Sequence, residues 1–253
     1  SKETDAQLQK ALEYVAGLAR ENEKTEIVEI CGKTYANRRL KRYDRPSSAA
    51  PMKASSLSAL VDYIASCAGE FPEGRDMIIH IQGPKNVCLV SALDDERNRE
   101  CLFEVEAEVS EFKFGRWYDQ EAFMIEAQAN FQKNEDMELL LKVAGNVEKK
   151  NSTAFSDDGV AQIATMTVGA ASKADVIVPN PVKLIPYRTF QEIAQPESNF
   201  VFRIGDDDKP KFMIVEAQNQ IWRNEAVRNI KMYLISAIRA MPEAIHSRII
   251  VIG

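Results

Sequence analysis

Arginine set among rings and amides is the clearest chemistry this chain offers, and it occurs twice. In FKFGRWYDQEAF (112–123), Phe114, Arg116, Trp117 and Tyr118 gather around Gly115 just ahead of a helical pattern. Rings stack on a base, a guanidinium pairs with phosphate and a helix N-terminus favours the anion, so this corner suits a nucleotide. Aromatics also pack strand-to-helix corners for stability alone, and both readings stand. The second site is PNPVKLIPYRTFQEIAQPESNFVFRI (179–204), where Pro179, Pro181 and Pro186 fix an extended path. It offers Tyr187, Arg188, Thr189, Gln191, Glu192, Gln195, Glu197, Ser198 and Arg203 within seventeen positions. Either these groups recognise a ligand, or they satisfy one another in a rigid loop or a subunit contact. Recognition is preferred, because an arginine with amides and hydroxyls suits phosphate and base edges.

A third cluster is purely basic. Lys33, Arg38, Arg39, Lys41, Arg42 and Arg45 against Asp44 give +5 over thirteen residues. On a strand both faces would be charged, which protects an edge from aggregation. With Tyr35 and Tyr43 beside it, the same cluster suits single-stranded nucleic acid. Acid pairs are weaker signals. Asp157-Asp158 in FSDDG could hold a divalent cation or make a polar turn, and Asp206 to Asp208 fill a hairpin loop. Glu104, Glu106 and Glu108 recur at period two, as on the wet face of a strand.

No GxSxG, Walker loop, GxGxxG or HExxH is present, and His80 and His246 stand 166 positions apart. Catalysis by histidine would rest on one lone residue. Cys31, Cys67, Cys88 and Cys101 form no CxxC, so reduced, partly buried thiols are expected and no metal site.

The elements that must position these groups follow from periodicity. Leu8, Leu12, Val15 and Ala19 predict an opening amphipathic helix that packs on the body or on a partner. Residues 25–30 and 34–43 read as a hairpin about a Cys-Gly-Lys turn, and 45–56 as a linker. A helix over 55–68 precedes a meander of DMIIHIQ, NVCLVSAL and CLFEVEAEVSEF. Helices are expected over 118–132, 135–147 and 218–241, strands at 160–170, 182–188, 199–205 and 211–217, and a buried closing strand in IHSRIIVIG. Hairpins outnumber β-α-β units, so the class is α+β, mainly antiparallel with a long helix near the C-terminus. The expected division is 1–54, a helix and basic hairpin, and 55–253, the main domain.

The 253 residues carry 32 Lys and Arg against 38 Asp and Glu, a net charge of −6 that argues against a general nucleic-acid coat. No apolar run reaches membrane length, and a soluble, cytoplasmic protein without a membrane partner is expected.

FSDDGVAQ (155–162), the 179–204 segment with its PYRTFxEIxQPESxFVFR pattern, and FKFGRWYDQEAFMIEAQANF together resemble the phage and prophage protein family typified by YfdQ. The similarity covers about residue 55 to the C-terminus. That family has no assigned reaction, so no catalytic residues carry across and no cofactor is implied. What the resemblance implies is a protein made by a phage in the cytoplasm of an infected bacterium. The expected function is non-enzymatic: sequestration of a small phosphorylated nucleotide signal of host antiviral immunity, by a homo-oligomer. The ligand set would be Arg116, Trp117, Tyr187, Arg188, Thr189, Gln191, Gln195 and Arg203. The alternative is an accessory of phage DNA replication or recombination that binds single strands through Arg38, Arg39, Lys41, Arg42 and Tyr43. An enzyme using Asp157, Asp158 and a cation, and a virion component, are further possibilities.

Overall fold

A computed structural model describes residues 2–22, 24–30, 32–37, 48–147, 161–168, 172–205, 209–218 and 220–253. The cluster Arg38, Arg39, Lys41, Arg42 and Tyr43, the Asp157-Asp158 pair and Asp206 to Asp208 lie outside the described residues. The chain divides into two units, Ser1–Ser47 and Ser48–Gly253. The first holds helix α1 (Lys2–Asn22) and the antiparallel strands β1 (Ile27–Ile30) and β2 (Lys33–Ala36), turning at Gly32 with φ +71°.

The second unit starts earlier than the expected boundary at 54, because β3 (Met52–Ala54) pairs in parallel with β6 (Cys101–Glu106). Its first sheet runs in the order β13 (Ile249–Ile252), β4 (Met77–Ile81), β5 (Asn86–Ser91), β6, β3. The fold is α+β, with parallel pairs at both rims of this sheet and antiparallel pairs between. Met77, Ile79 and Ile81 alternate inward on β4 and meet helix α2 (Leu57–Ser66) and helix α5 (Trp222–Arg239). Ser56 caps α2 by accepting from the Ala59 N–H at 3.3 Å, and Leu57, Leu60, Tyr63 and Ile64 form its buried face. Each such side chain contributes about 1.5–3 kcal/mol on burial. On α5 the inward stripe is Ala226, Ile230, Leu234 and Ile238, and a short helix α6 (Glu243–His246) leads to β13. The closing strand, expected as buried, is a rim strand with Ile250 and Ile252 exposed.

The second sheet runs β10 (Val182–Leu184), β11 (Ser198–Gly205), β12 (Lys211–Glu216), β7 (Tyr118–Asp119), all antiparallel. Helices α3 (Gln120–Asn130) and α4 (Glu135–Asn146) lie in its core with Phe123, Phe131, Phe200, Phe202 and Phe212. A separate ladder joins β8 (Ala161–Val168) to β9 (Ser172–Pro179), and the Asn180–Pro181 peptide is cis. Among the described residues no helix is long and apolar enough to cross a membrane.

Candidate functional site

Arg188 is where the sequence places a phosphate-pairing guanidinium, and it lies inside the protein. It is 7% exposed, with Nη1 donating to Glu216 Oε1 at 3.1 Å and Nη2 donating to Ser198 Oγ and to the Pro196 carbonyl at 3.4 Å. The guanidinium stacks on the Trp222 ring, 4.1 Å from its centroid, and lies 5.9 Å from that of Phe200. Burial lowers its pKa to about 10 against the opposing pull of Glu216, so it stays charged at neutral pH. Gln195 holds the surrounding loop closed. Its Oε1 accepts from the Arg188 N–H at 3.0 Å and the Thr189 N–H at 3.3 Å, and its Nε2 donates to the Phe190 carbonyl at 2.8 Å. Thr189, fully buried, donates from Oγ1 to the Pro84 carbonyl. Arg188, Thr189 and Gln195, expected to face a ligand, are therefore spent on the loop and on its seams with the β4–β5 turn, β11 and β12. Each is buried, with Gln195 bordering the recess below, and of their side-chain donors the Arg188 Nε–H is the one left without a hydrogen-bond partner.

Tyr187 and Gln191 remain at the surface. With Glu108, Ser110 and Gln132 they line a recess of about 400 Å³. A neighbouring recess of about 360 Å³ runs past Ser55 and Glu192. A broad depression of about 1260 Å³ covers the outer face of the first sheet, with Lys53, Gln82, Lys85, Cys88, Cys101 and Glu104 in its wall. Its lysines are held by carboxylates, Lys53 by Glu104 at 3.3 Å and Lys85 by Glu111. Glu106 and Glu108 add negative charge, so an anion gains little there. Burial, with Cys88 and Glu104 close by, pushes the Cys101 thiol up to about 11, which suppresses the thiolate. No three His, Cys, Asp or Glu side chains converge on a metal position among the described residues. Glu104 does belong to β6, as its periodicity implies, but the strand stops at Glu106 and Glu108 lies beyond it.

The other predicted corner behaves differently. Asp119 caps α3, its carboxylate accepting from the Ala122 N–H at 2.8 Å, and this turns the chain sharply after Tyr118. Tyr118 points inward against Phe112, leaving Trp117 outside with 44% of its surface exposed. Its indole sits over Gly205 so closely that a Cβ there would stand 3.1 Å from Cζ3 and 3.4 Å from the Lys211 Cβ. On β11 the buried side chains are Ser198, Phe200 and Phe202, so Val201, Arg203 and Gly205 share the opposite face. Register places Arg203 against Met213 and Gly205 against Lys211. Trp117, Arg203 and Lys211 thus lie toward one face of the sheet, while Arg116 folds back over the Tyr118 ring at 5.4 Å. From Ser198, bonded to Arg188, to Gly205 under Trp117 is seven steps of β11, roughly 23 Å at the usual strand rise. Arg188 and its loop therefore stand apart from the Trp117 corner, which the 179–204 segment reaches through Arg203.

Comparison with family models, curated proteins and solved structures finds no match.

Of the eight predicted ligand residues, the fold puts Trp117 and Arg203 toward one sheet face and folds Arg116 over the inward-pointing Tyr118 ring. It separates Tyr187 and Gln191 into the recess and buries Arg188, Thr189 and Gln195. Sequence reasoning missed Lys211 and Gly205. The signal was the strand alternation Val201, Arg203, Gly205, which already puts Arg203 and the glycine on one side.

Proposed function

We propose that this chain is a non-enzymatic nucleotide-binding protein of a phage, related to the family typified by YfdQ, acting in the cytoplasm of the infected bacterium. The observation that carries this reading is the seat of Trp117: a half-exposed indole laid over a glycine, with Arg203 and Lys211 on the same face. The indole takes the face of a base, and the guanidinium of Arg203 takes a phosphate in bidentate fashion. In an infected cell this chemistry serves to capture a small phosphorylated nucleotide signal of host immunity without cleaving it. A second reading is favoured by the openness of the face. A flat sheet covers only one side of a base, which suits an extended single strand, whereas a small sequestered molecule gains from enclosure. That reading makes the chain an accessory of phage DNA replication or recombination.

The test is native mass spectrometry of the full chain with cyclic dinucleotides, cyclic trinucleotides, ADP-ribose derivatives and short oligonucleotides, repeated with Trp117→Ala and Arg203→Ala. A small nucleotide kept intact at a fixed ratio, and weakened about tenfold or more in each variant, is the expected result. Retention of oligonucleotides alone, falling steeply with salt, selects the second reading. A ligand recovered with altered mass makes the chain an enzyme and ends the proposal. So does equal retention by both variants, or retention of nothing.

A further inference from the structure

The first unit contains no buried side chain among those described; Thr25 is half-buried and the others are exposed. Yet α1 is not patterned as a solvated helix. Leu8, Ala11, Val15 and Leu18 follow one another at spacings of three, four and three, which are positions a, d, a, d of a heptad. Leu12 and Ala19 at e and Tyr14 at g widen the stripe. Between Gln7 and Arg20 the charged residues are Lys10, Glu13 and Arg20, all at c or f on the far side. Leu8, Leu12 and Val15 are each at least 60% exposed. A helix of 21 residues runs about 32 Å, and the stripe from Leu8 to Ala19 takes up nearly two heptads of it. A helix like this draws its stability from covering such a face and not from propensity.

We propose that copies of this chain assemble through α1, each apolar stripe covered by the stripes of other copies in a coiled-coil bundle. Three observations select a second copy as the occupant. A seam with heptad spacing is matched by a seam of the same period, and an identical helix has it. The flanking positions beside the stripe, Gln7, Leu12, Tyr14 and Ala19, carry no charge, and the acidic ones, Asp5 and Glu21, fall beyond its two ends, so identical helices meet along the stripe without like-charge repulsion. A basic or acidic partner would find no opposite charge along the seam. The stripe spans a, d, e and part of g, the width used by bundle helices.

Sedimentation equilibrium of the full chain at micromolar concentration tests this, beside Leu8→Glu/Val15→Glu, Leu8→Ser/Val15→Ser and the outer-face variant Glu13→Lys. The full chain and Glu13→Lys are expected at a multiple of 28.4 kDa, and both double variants at the mass of one chain. Trp117 and Trp222, the two tryptophans, lie in the second unit, so an unchanged emission spectrum shows that unit to be intact in every variant. A full chain of single-chain mass overturns the proposal. So does wild-type mass in the serine variant, or loss of assembly in Glu13→Lys.

Discussion

Arg188 shows how a residue that reads as ligand-binding becomes structural. Its sequence neighbours Thr189, Gln191 and Gln195 are the types that recognise phosphate and bases. What decides its role is Glu216, 28 positions away, and Trp222 beyond it. No local pattern announces those partners. The structure implies that Arg188→Ala unfolds more easily, because it leaves Glu216 and Ser198 without their donor and removes the stack on Trp222. The expected loss is about 3 kcal/mol, the low end for a broken buried pair, since the Glu216 side chain keeps a quarter of its surface in water. Urea unfolding followed by tryptophan emission measures it. The double variant Arg188→Met/Glu216→Leu should recover most of the loss, as apolar replacements of buried pairs do. An unchanged midpoint in Arg188→Ala would show the network to be ornamental.

At the scale of elements, α4 is fixed to β10 by its own first turn. Asn134 accepts from the Met137 N–H at 2.8 Å and donates to the Lys183 carbonyl at 2.7 Å, while Asp136 accepts from the Lys183 N–H at 2.6 Å. Capping and strand docking are one device. Asn134→Ala removes both Asn134 bonds and should cost about 1–2 kcal/mol, read as a lowered urea midpoint; Asn134→Asp, which keeps the cap, should cost less. Periodicity located α2, α3, α4, α5 and the hairpins β4–β5 and β11–β12, because each alternates a buried with a wet side save β5, an apolar run buried from Val87 to Leu89. It misplaced the end of β6 and the setting of β13. Ala107 donates its N–H to the Lys85 carbonyl at 2.8 Å, and by Phe112 the chain has joined the core of the second sheet. The alternation continues through this handover although the strand does not. Ile249 to Ile252 are apolar throughout, a run that reads the same in a central strand as at a rim.

At the scale of the whole molecule, both apolar cores lie within Ser48–Gly253. A chain beginning at Ser48 is therefore expected to fold with the tryptophan spectrum of the full protein and within about 1 kcal/mol of its stability. Thermal and urea melts of the two chains compare them. A shorter chain that melts without cooperativity would show that the first 47 residues complete a core. The pairing of β13 with β4 carries a different consequence, one for biosynthesis. It joins Ile249 to Met77, so 172 residues (249 − 77) separate the partners. At the pace of a ribosome, about 5–20 residues per second, β4 waits roughly ten to thirty seconds for β13. Helix α5, which covers Met77, Ile79 and Leu89, is delayed almost as long. Until α5 is made, the nascent chain carries β4, β5 and β6 with an apolar face that α2 alone can cover, which makes it a client for chaperones that shield hydrophobic surface.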